Sequence, residues 1–265
     1  MGWLGWTVAV LVIVATGLYG TYRYALSRNA VAVLDWADQR LRSGEEARLV
    51  AAESYGADPA QKIRVFLPQQ ASGPLPVVIF VHGGSWATGD PDDYGFVART
   101  LAPQGYAVVL AGYRLYPRSV FPGMVEDSAA AVRWVRDNAA RFGGDPGRIV
   151  LMGHSAGAYN VTMVALDPAW LAREGLPGDT IRGVIGLAGP YDFLPLASPA
   201  TVASFGRTPH LEATQPLRFV RPDAPPMLLL TGDSDTTVKP RNSLALAKAM
   251  TAAGALPSRP SCSPG

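Results

Sequence analysis

Residues 148–166 read RIVLMGHSAGAYNVTMVAL, and the turn in the middle of this stretch decides the architecture. Ile149 to Met152 is a short apolar run, as in a strand buried on both faces. Gly153-His154-Ser155-Ala156-Gly157 then forms the pattern G-x-S-x-G, and the residues from Ala156 onward suit a helix. A serine at a sharp strand-to-helix turn has its hydroxyl lifted clear of the sheet. The flanking Gly153 and Gly157 leave space where side chains would collide. The serine also sits at a helix amino terminus, where N–H groups and the dipole favour developing negative charge. This context predicts Ser155 as a nucleophile.

Seventy residues upstream, the apolar strand Val77 to Val81 runs into His82-Gly83-Gly84-Ser85-Trp86. Stabilising a tetrahedral oxyanion needs backbone N–H groups at close range, and glycine allows that approach without a Cβ. Gly83 and Gly84 are the expected donors, joined by the N–H of Ala156, one residue past the nucleophile. His82 is then a loop-shaping residue rather than a base. Trp86 either lines the acyl pocket or packs in the core.

Further outward, strands alternate with helices. Arg48 to Ser54 and Ile63 to Leu67 flank a turn-rich GADPAQ, as in a hairpin. Helical spacing marks 92–101, 125–142, the segment from Ala156 and 243–253. Strands are expected at 77–81, 106–111, 149–152, 181–187 and 227–230. Such alternation implies a mostly parallel, doubly wound sheet covered on both faces, with chemistry gathered at the carboxyl ends of its strands. Residues 190–222 carry little periodicity and read as a short cap.

Composition narrows the function classes. The chain has 265 residues, 48% hydrophobic and 17% charged, with a net charge of +2, so it is a packed globular chain with no basic run for nucleic acid. A lone Cys262 permits neither an internal disulfide nor a thiolate cluster. His82, His154 and His210 show no metal-ligand spacing. No metal and no cofactor is expected.

The amino terminus differs. Residues 3–19, WLGWTVAVLVIVATGLY, are uncharged, and aromatic residues flank both ends. This predicts a membrane anchor helix over 1–24, a connector helix within 25–47 (Ala30 to Leu41), the hydrolase-like domain over 48–254 and an aberrant tail over 255–265. The expected location is a single-pass bacterial inner-membrane protein. Arg23, Arg28, Arg40 and Arg42 after the span favour a cytoplasmic domain. A cleaved signal peptide, giving a secreted or periplasmic protein, is the rival reading.

The motifs HGGSW, GYRLYP, GGDPGRIVLMGHSAGA and GDSDTTV together resemble the bacterial α/β-hydrolase serine esterases related to hormone-sensitive lipase and to feruloyl esterases. The resemblance covers about residues 51–253. It implies the α/β-hydrolase fold, a small-molecule ester substrate and an acid in a G-x-x-D turn after the penultimate strand. Asp235 matches that position, with Asp233 as the runner-up.

The triad in this fold runs serine, acid, histidine. No histidine follows Asp235, and the sequence closes on TAAGALPSRPSCSPG, Pro- and Ser-rich and unsuited to the expected last strand. The last strand and the histidine loop are therefore expected to be missing. Read one frame over with permitted codons, the tail becomes AVEAKLFPG, a strand leading into a Pro-Gly turn, which points to a reading-frame change. Two functions follow: a carboxylic-ester hydrolase working through an acyl-enzyme, with amide or peptide cleavage as its in-class alternative, or a truncated, inactive hydrolase-like binding protein. The acyl group, alcohol and oligomeric state are not legible.

Overall fold

The computed structural model describes residues 16, 19–20, 29–42, 47–255 and 259–263. Contacts divide the chain into two units, Met1–Gly44 and Glu45–Gly265. In the first, 29–41 form helix α1, close to the expected connector. Asn29 Oδ1 accepts from the Ala32 N–H at 3.0 Å, the cap such a helix start requires.

The second unit is built on one eight-stranded sheet. Its strands are β1 (Ala47–Ser54), β2 (Lys62–Pro68), β3 (Leu75–Val81), β4 (Ala107–Ala111), β5 (Gly144–His154), β6 (Ile181–Leu187), β7 (Met227–Gly232) and β8 (Arg259–Ser263). Their spatial order is β1-β2-β4-β3-β5-β6-β7-β8. The hairpin β1–β2 and the β2–β4 pair are antiparallel, and every later pair is parallel. The helices are α2 (Gly95–Leu101), α3 (Gly123–Asn138), α4 (Ala156–Leu166), α5 (Pro168–Arg173), α6 (Pro199–Phe205) and α7 (Arg241–Ala252).

The apolar runs find their cause in burial. All five residues of β4 are buried, as are six of the seven in β3, because helices cover both faces. Every residue of α4 is buried, so its sequence is apolar on most faces rather than striped, with Asn160 and Thr162 as its buried polar exceptions. Val81 pairs with Gly153, Gly153 with Gly186, and Leu187 with Leu230. The carboxyl ends of β3, β5, β6 and β7 are thereby aligned, and the two glycine motifs lie side by side.

Two expectations are corrected. The tail does form a strand: Arg259–Ser263 pairs in parallel with β7, from Leu228↔Arg259 to Gly232↔Ser263. The proline argument against it applies to inner strands. β8 is outermost, so only alternate N–H groups are called on by its neighbour and a proline is tolerated. The single-pass membrane location also falls: among the described residues no helix is long and apolar enough to cross a membrane. Most of the apolar run at 3–19 lies outside the described residues, and the helix that the anchor reading required is not among those the structure describes. Helix α5 was not anticipated; Asp167 caps it by accepting from Ala169 N–H at 3.0 Å, and Pro168 opens it.

The segment between β4 and α3 is locked by a buried carboxylate. Asp127, on α3 with its side chain 2% exposed, accepts from Arg114 Nη2 at 2.7 Å, from the Arg114 backbone N–H at 2.8 Å and from Gln61 Nε2 at 2.8 Å. These bonds tie the β1–β2 turn, the GYRLYP loop and α3 together. Removing one partner strands a buried charge. Arg114→Ala should therefore lower unfolding free energy by about 3–5 kcal/mol, and adding Asp127→Asn should recover part of that loss in urea unfolding.

Candidate active site

Ser155 is the residue between β5 and α4, and its backbone adopts φ 51°, ψ −117°. A non-glycine residue held at positive φ costs about 1–3 kcal/mol and persists only where its surroundings over-determine it. The surroundings do so here. The Ser155 N–H donates to Leu187 O at 2.7 Å, anchoring the turn to β6. A Cβ on Gly153 would lie 2.4 Å from Gly157 O, and one on Gly157 would lie 2.1 Å from Val81 O and 2.5 Å from His82 O. Both glycines are therefore sterically required: the start of α4 presses directly on the end of β3.

The HGGSW loop packs on this turn. A Cβ on Gly83 would sit 2.8 Å from His154 Nδ1 and 3.2 Å from Ser155 Cβ. Gly84 adopts φ 118°, where its Cβ would collide with Thr88 O at 2.0 Å. Ser85 and Trp86 follow at φ 54° and 59°, so the strain continues along the loop. The Gly83 N–H donates to Tyr94 Oη at 3.2 Å. The Gly83 N–H is thus engaged with Tyr94, while Ser85 and Ala156 line the cleft beside Ser155. Tyr94 Oη also lies 3.1 Å from His154 Nδ1, so the hydroxyl bridges the Gly83 N–H and the histidine ring. Tyr94 was not singled out from sequence, because nothing in PDDYGF distinguishes it from an ordinary core tyrosine.

His82 is buried, stacks on Tyr113 with ring centroids 4.5 Å apart, and places Nδ1 2.7 Å from Gly83 O. Burial pushes its pKa down to about 4. His154 is likewise held below the usual histidine range by burial, opposed by the nearby Asp235 carboxylate. His210 is exposed at the start of a 3-10 turn. Among the described residues, no hydrogen bond joins Ser155 Oγ to any of the three histidines.

Of the two candidate acids, Asp235 is half-buried and Asp233 exposed. Asp235 Oδ1 accepts from the N–H groups of Thr237 and Val238 at 2.8 and 2.9 Å, which fixes the loop after β7. That loop and Ser155 face one cleft of about 540 Å³, lined also by Trp86, Pro190, Phe193, Pro195 and the start of α6. The volume suits a small organic ligand. The aperiodic 190–222 segment thus walls the site, as a short cap would. Trp86 does both things considered for it. It lines the cleft and is 3% exposed, edge-on to Tyr159 and Phe205 at 5.4 and 4.8 Å, with Nε1 donating to Asn160 Oδ1 at 3.1 Å.

The BD-FAE family model matches residues 63–250. The chain belongs to the BD-FAE family. Among similar proteins, the probable isoprenylcysteine alpha-carbonyl methylesterase ICMEL1 of Oryza sativa subsp. japonica is 34% identical over 149 residues, 54% of this chain and 35% of its own length. The esterase LipC of Mycobacterium tuberculosis is 31% identical over 203 residues, 69% of this chain and 50% of its own length. The chain therefore spans between a third and a half of these relatives. In structure, esterase B from Lactobacillus rhamnosis superposes with a TM-score of 0.76 at 25% identity, covering 94% of this BD-FAE chain and 85% of that one.

Two outcomes are expected from this packing. Gly157→Ala should destabilise the fold by about 3 kcal/mol or more in thermal or urea unfolding, because the clash is with backbone on two sides. His82 binds its proton less readily when folded than when unfolded. Its contribution to stability is therefore complete above about pH 6.5 and is lost as pH falls toward 4, worth up to about 3 kcal/mol. An NMR titration should find its ring neutral throughout the range above pH 5.5; protonation near 6.5 in the folded protein would contradict the burial.

Proposed function

We propose that this chain is the core of a carboxylic-ester hydrolase in which Ser155 attacks the acyl carbon and forms an acyl-enzyme. The observation that carries the reading is the strained Ser155 turn, pinned by glycine–backbone contact and opening onto a cleft of ligand size. In this reading the oxyanion is held by the backbone N–H groups of Ala156, Ser85 and Gly84, aided by the amino terminus of α4. Those dipoles are fixed before the substrate arrives, so they need not reorganise as charge develops on the acyl oxygen.

Asp235 is the acid of the set, since its carboxylate is braced by two N–H groups at the cleft and Asp233 faces solvent. Its role is to orient and stabilise an imidazolium that takes the Ser155 proton and returns it to the leaving alcohol. None of His82, His154 and His210 meets that requirement. His82 is bonded into the oxyanion loop, His154 is engaged with Tyr94, and His210 is exposed on the cap segment. The ester reading is supported by relatives and a structural neighbour that carry esterase names.

The test is Ser155-dependent turnover of a p-nitrophenyl ester of a short acid, with imidazole supplied as an external base. The chain should exceed Ser155→Ala by at least tenfold at saturating imidazole, and the excess should fall away when imidazole is withdrawn. The oxyanion donors and substrate binding persist in Ser155→Ala, so the residual rate over water that they supply is common to both proteins and adds nothing to the excess. Equal rates for the two proteins under both conditions would overturn the proposal and favour a binding protein.

A further inference from the structure

The cleft is uneven in charge. Trp86, Pro190, Phe193, Pro195 and Ala197 give it an apolar lining, and Ser85, Ser155, Ser198 and Thr201 are neutral. The stretch Thr237 to Asn242 brings in Lys239 and Arg241, the only charged residues in the lining among those described. Neither side chain has an ion-pair or hydrogen-bond partner among the described residues. Other cations of this fold are engaged: Lys62 bonds Asp90 and Asp92 at 2.7 and 2.8 Å, Arg114 bonds Asp127, and Arg148 bonds Asp145 at 2.6 Å. The nearest carboxylate in sequence, Asp235, spends Oδ1 on the Thr237 and Val238 N–H groups.

Their position runs against local preference. Arg241 is the first residue of α7, Lys239 lies two residues before it, and the first turn contains no acidic residue. Helices favour acidic groups at that end, where the dipole is positive. Two cations there add to the dipole, so the potentials sum over one part of the cleft. A local rule broken without a compensating contact is expected at a functional position. Asn242, the next residue, is held rigidly, its Oδ1 accepting from the Tyr191 and Asp192 N–H groups at 2.9 Å each. The backbone carrying both cations is thus fixed relative to the cap.

We infer that the ester accepted here carries a second, ionised acid group remote from the scissile bond, a carboxylate in the simplest case, held by Lys239 and Arg241. The inference rests on the reading of Ser155 as the nucleophile of an ester hydrolase. The apolar lining takes the carbon skeleton, and the two cations select against esters that lack the anion. Arg241 can offer a paired N–H fork to a carboxylate, and Lys239 a point charge.

The experiment is equilibrium binding to the full chain bearing Ser155→Ala, followed by NMR, so that no ligand is consumed. Four ligands are compared: monomethyl glutarate and 4-acetoxybutyrate, with the anion on the acyl and alcohol halves respectively, and their neutral counterparts dimethyl glutarate and methyl 4-acetoxybutyrate. At least one anionic ester should bind about fivefold or more tightly than its neutral partner at low salt, with the ratio shrinking at high salt. In Lys239→Gln/Arg241→Gln, an exposed pair whose replacement leaves no buried charge, the ratio should fall to near one. The half bearing the anion in the preferred ligand tells which side of the ester faces the cations. Binding of neutral esters without an anionic preference, or a preference that survives the double substitution, overturns this inference and leaves the ester reading standing. Failure of all four to bind overturns both.

Discussion

The active-site half of this molecule depends on a contact between backbones. The start of α4 presses on the end of β3 so closely that Gly157 has Val81 O and His82 O where a Cβ would be, and Gly153 has Gly157 O. Because those glycines carry no side chain, the chain can turn from β5 into α4 within one residue, and that residue is Ser155 at φ 51°. The strain is local and the compensation is distributed. A strand pairing on each side of β5, the Ser155–Leu187 bond and a wholly buried α4 hold the turn in place.

The same contact explains why the two glycine motifs act as one object. Gly83 lies against Ser155 and His154, and its N–H is taken by Tyr94, whose hydroxyl also meets His154. His82 turns inward, neutral and stacked, and holds Gly83 O. The loop is thus fixed from both sides, and Ser85 and Ala156 line a cleft beside Trp86, Phe193, Pro190 and Pro195. In the proposed reading, such an arrangement would supply preorganised dipoles at low reorganisation cost, the physical basis of oxyanion stabilisation.

Much of this was legible in the sequence for identifiable reasons. Burial on both faces makes β3 and β4 continuous apolar runs, and glycines flanking a serine between a strand and a helix mark a sharp turn, so the sheet and the position of Ser155 in that turn could be read directly. Asp235 is preferred to Asp233 on resemblance alone, and it is the more buried of the two. Other features depended on tertiary contact. The bond that engages the Gly83 N–H comes from Tyr94, a residue eleven positions on with no local signature. The tail strand β8 escaped notice because Pro and Ser read as loop, whereas an edge position makes no demand on every N–H. The apolar segment at 3–19 invited a spanning helix on its length, lack of charge and flanking aromatics, and no such helix stands among the described residues.

The central claim is that Ser155 is the reactive nucleophile of a hydrolase site. The most direct measurement is mass spectrometry of the chain after treatment with a fluorophosphonate in the presence of imidazole. Displacement of fluoride by the serine oxygen should leave a single phosphonyl adduct on the peptide containing Ser155, absent from Ser155→Ala. An adduct spread over lysines and tyrosines, or an unmodified Ser155 at complete consumption of the probe, would contradict the account.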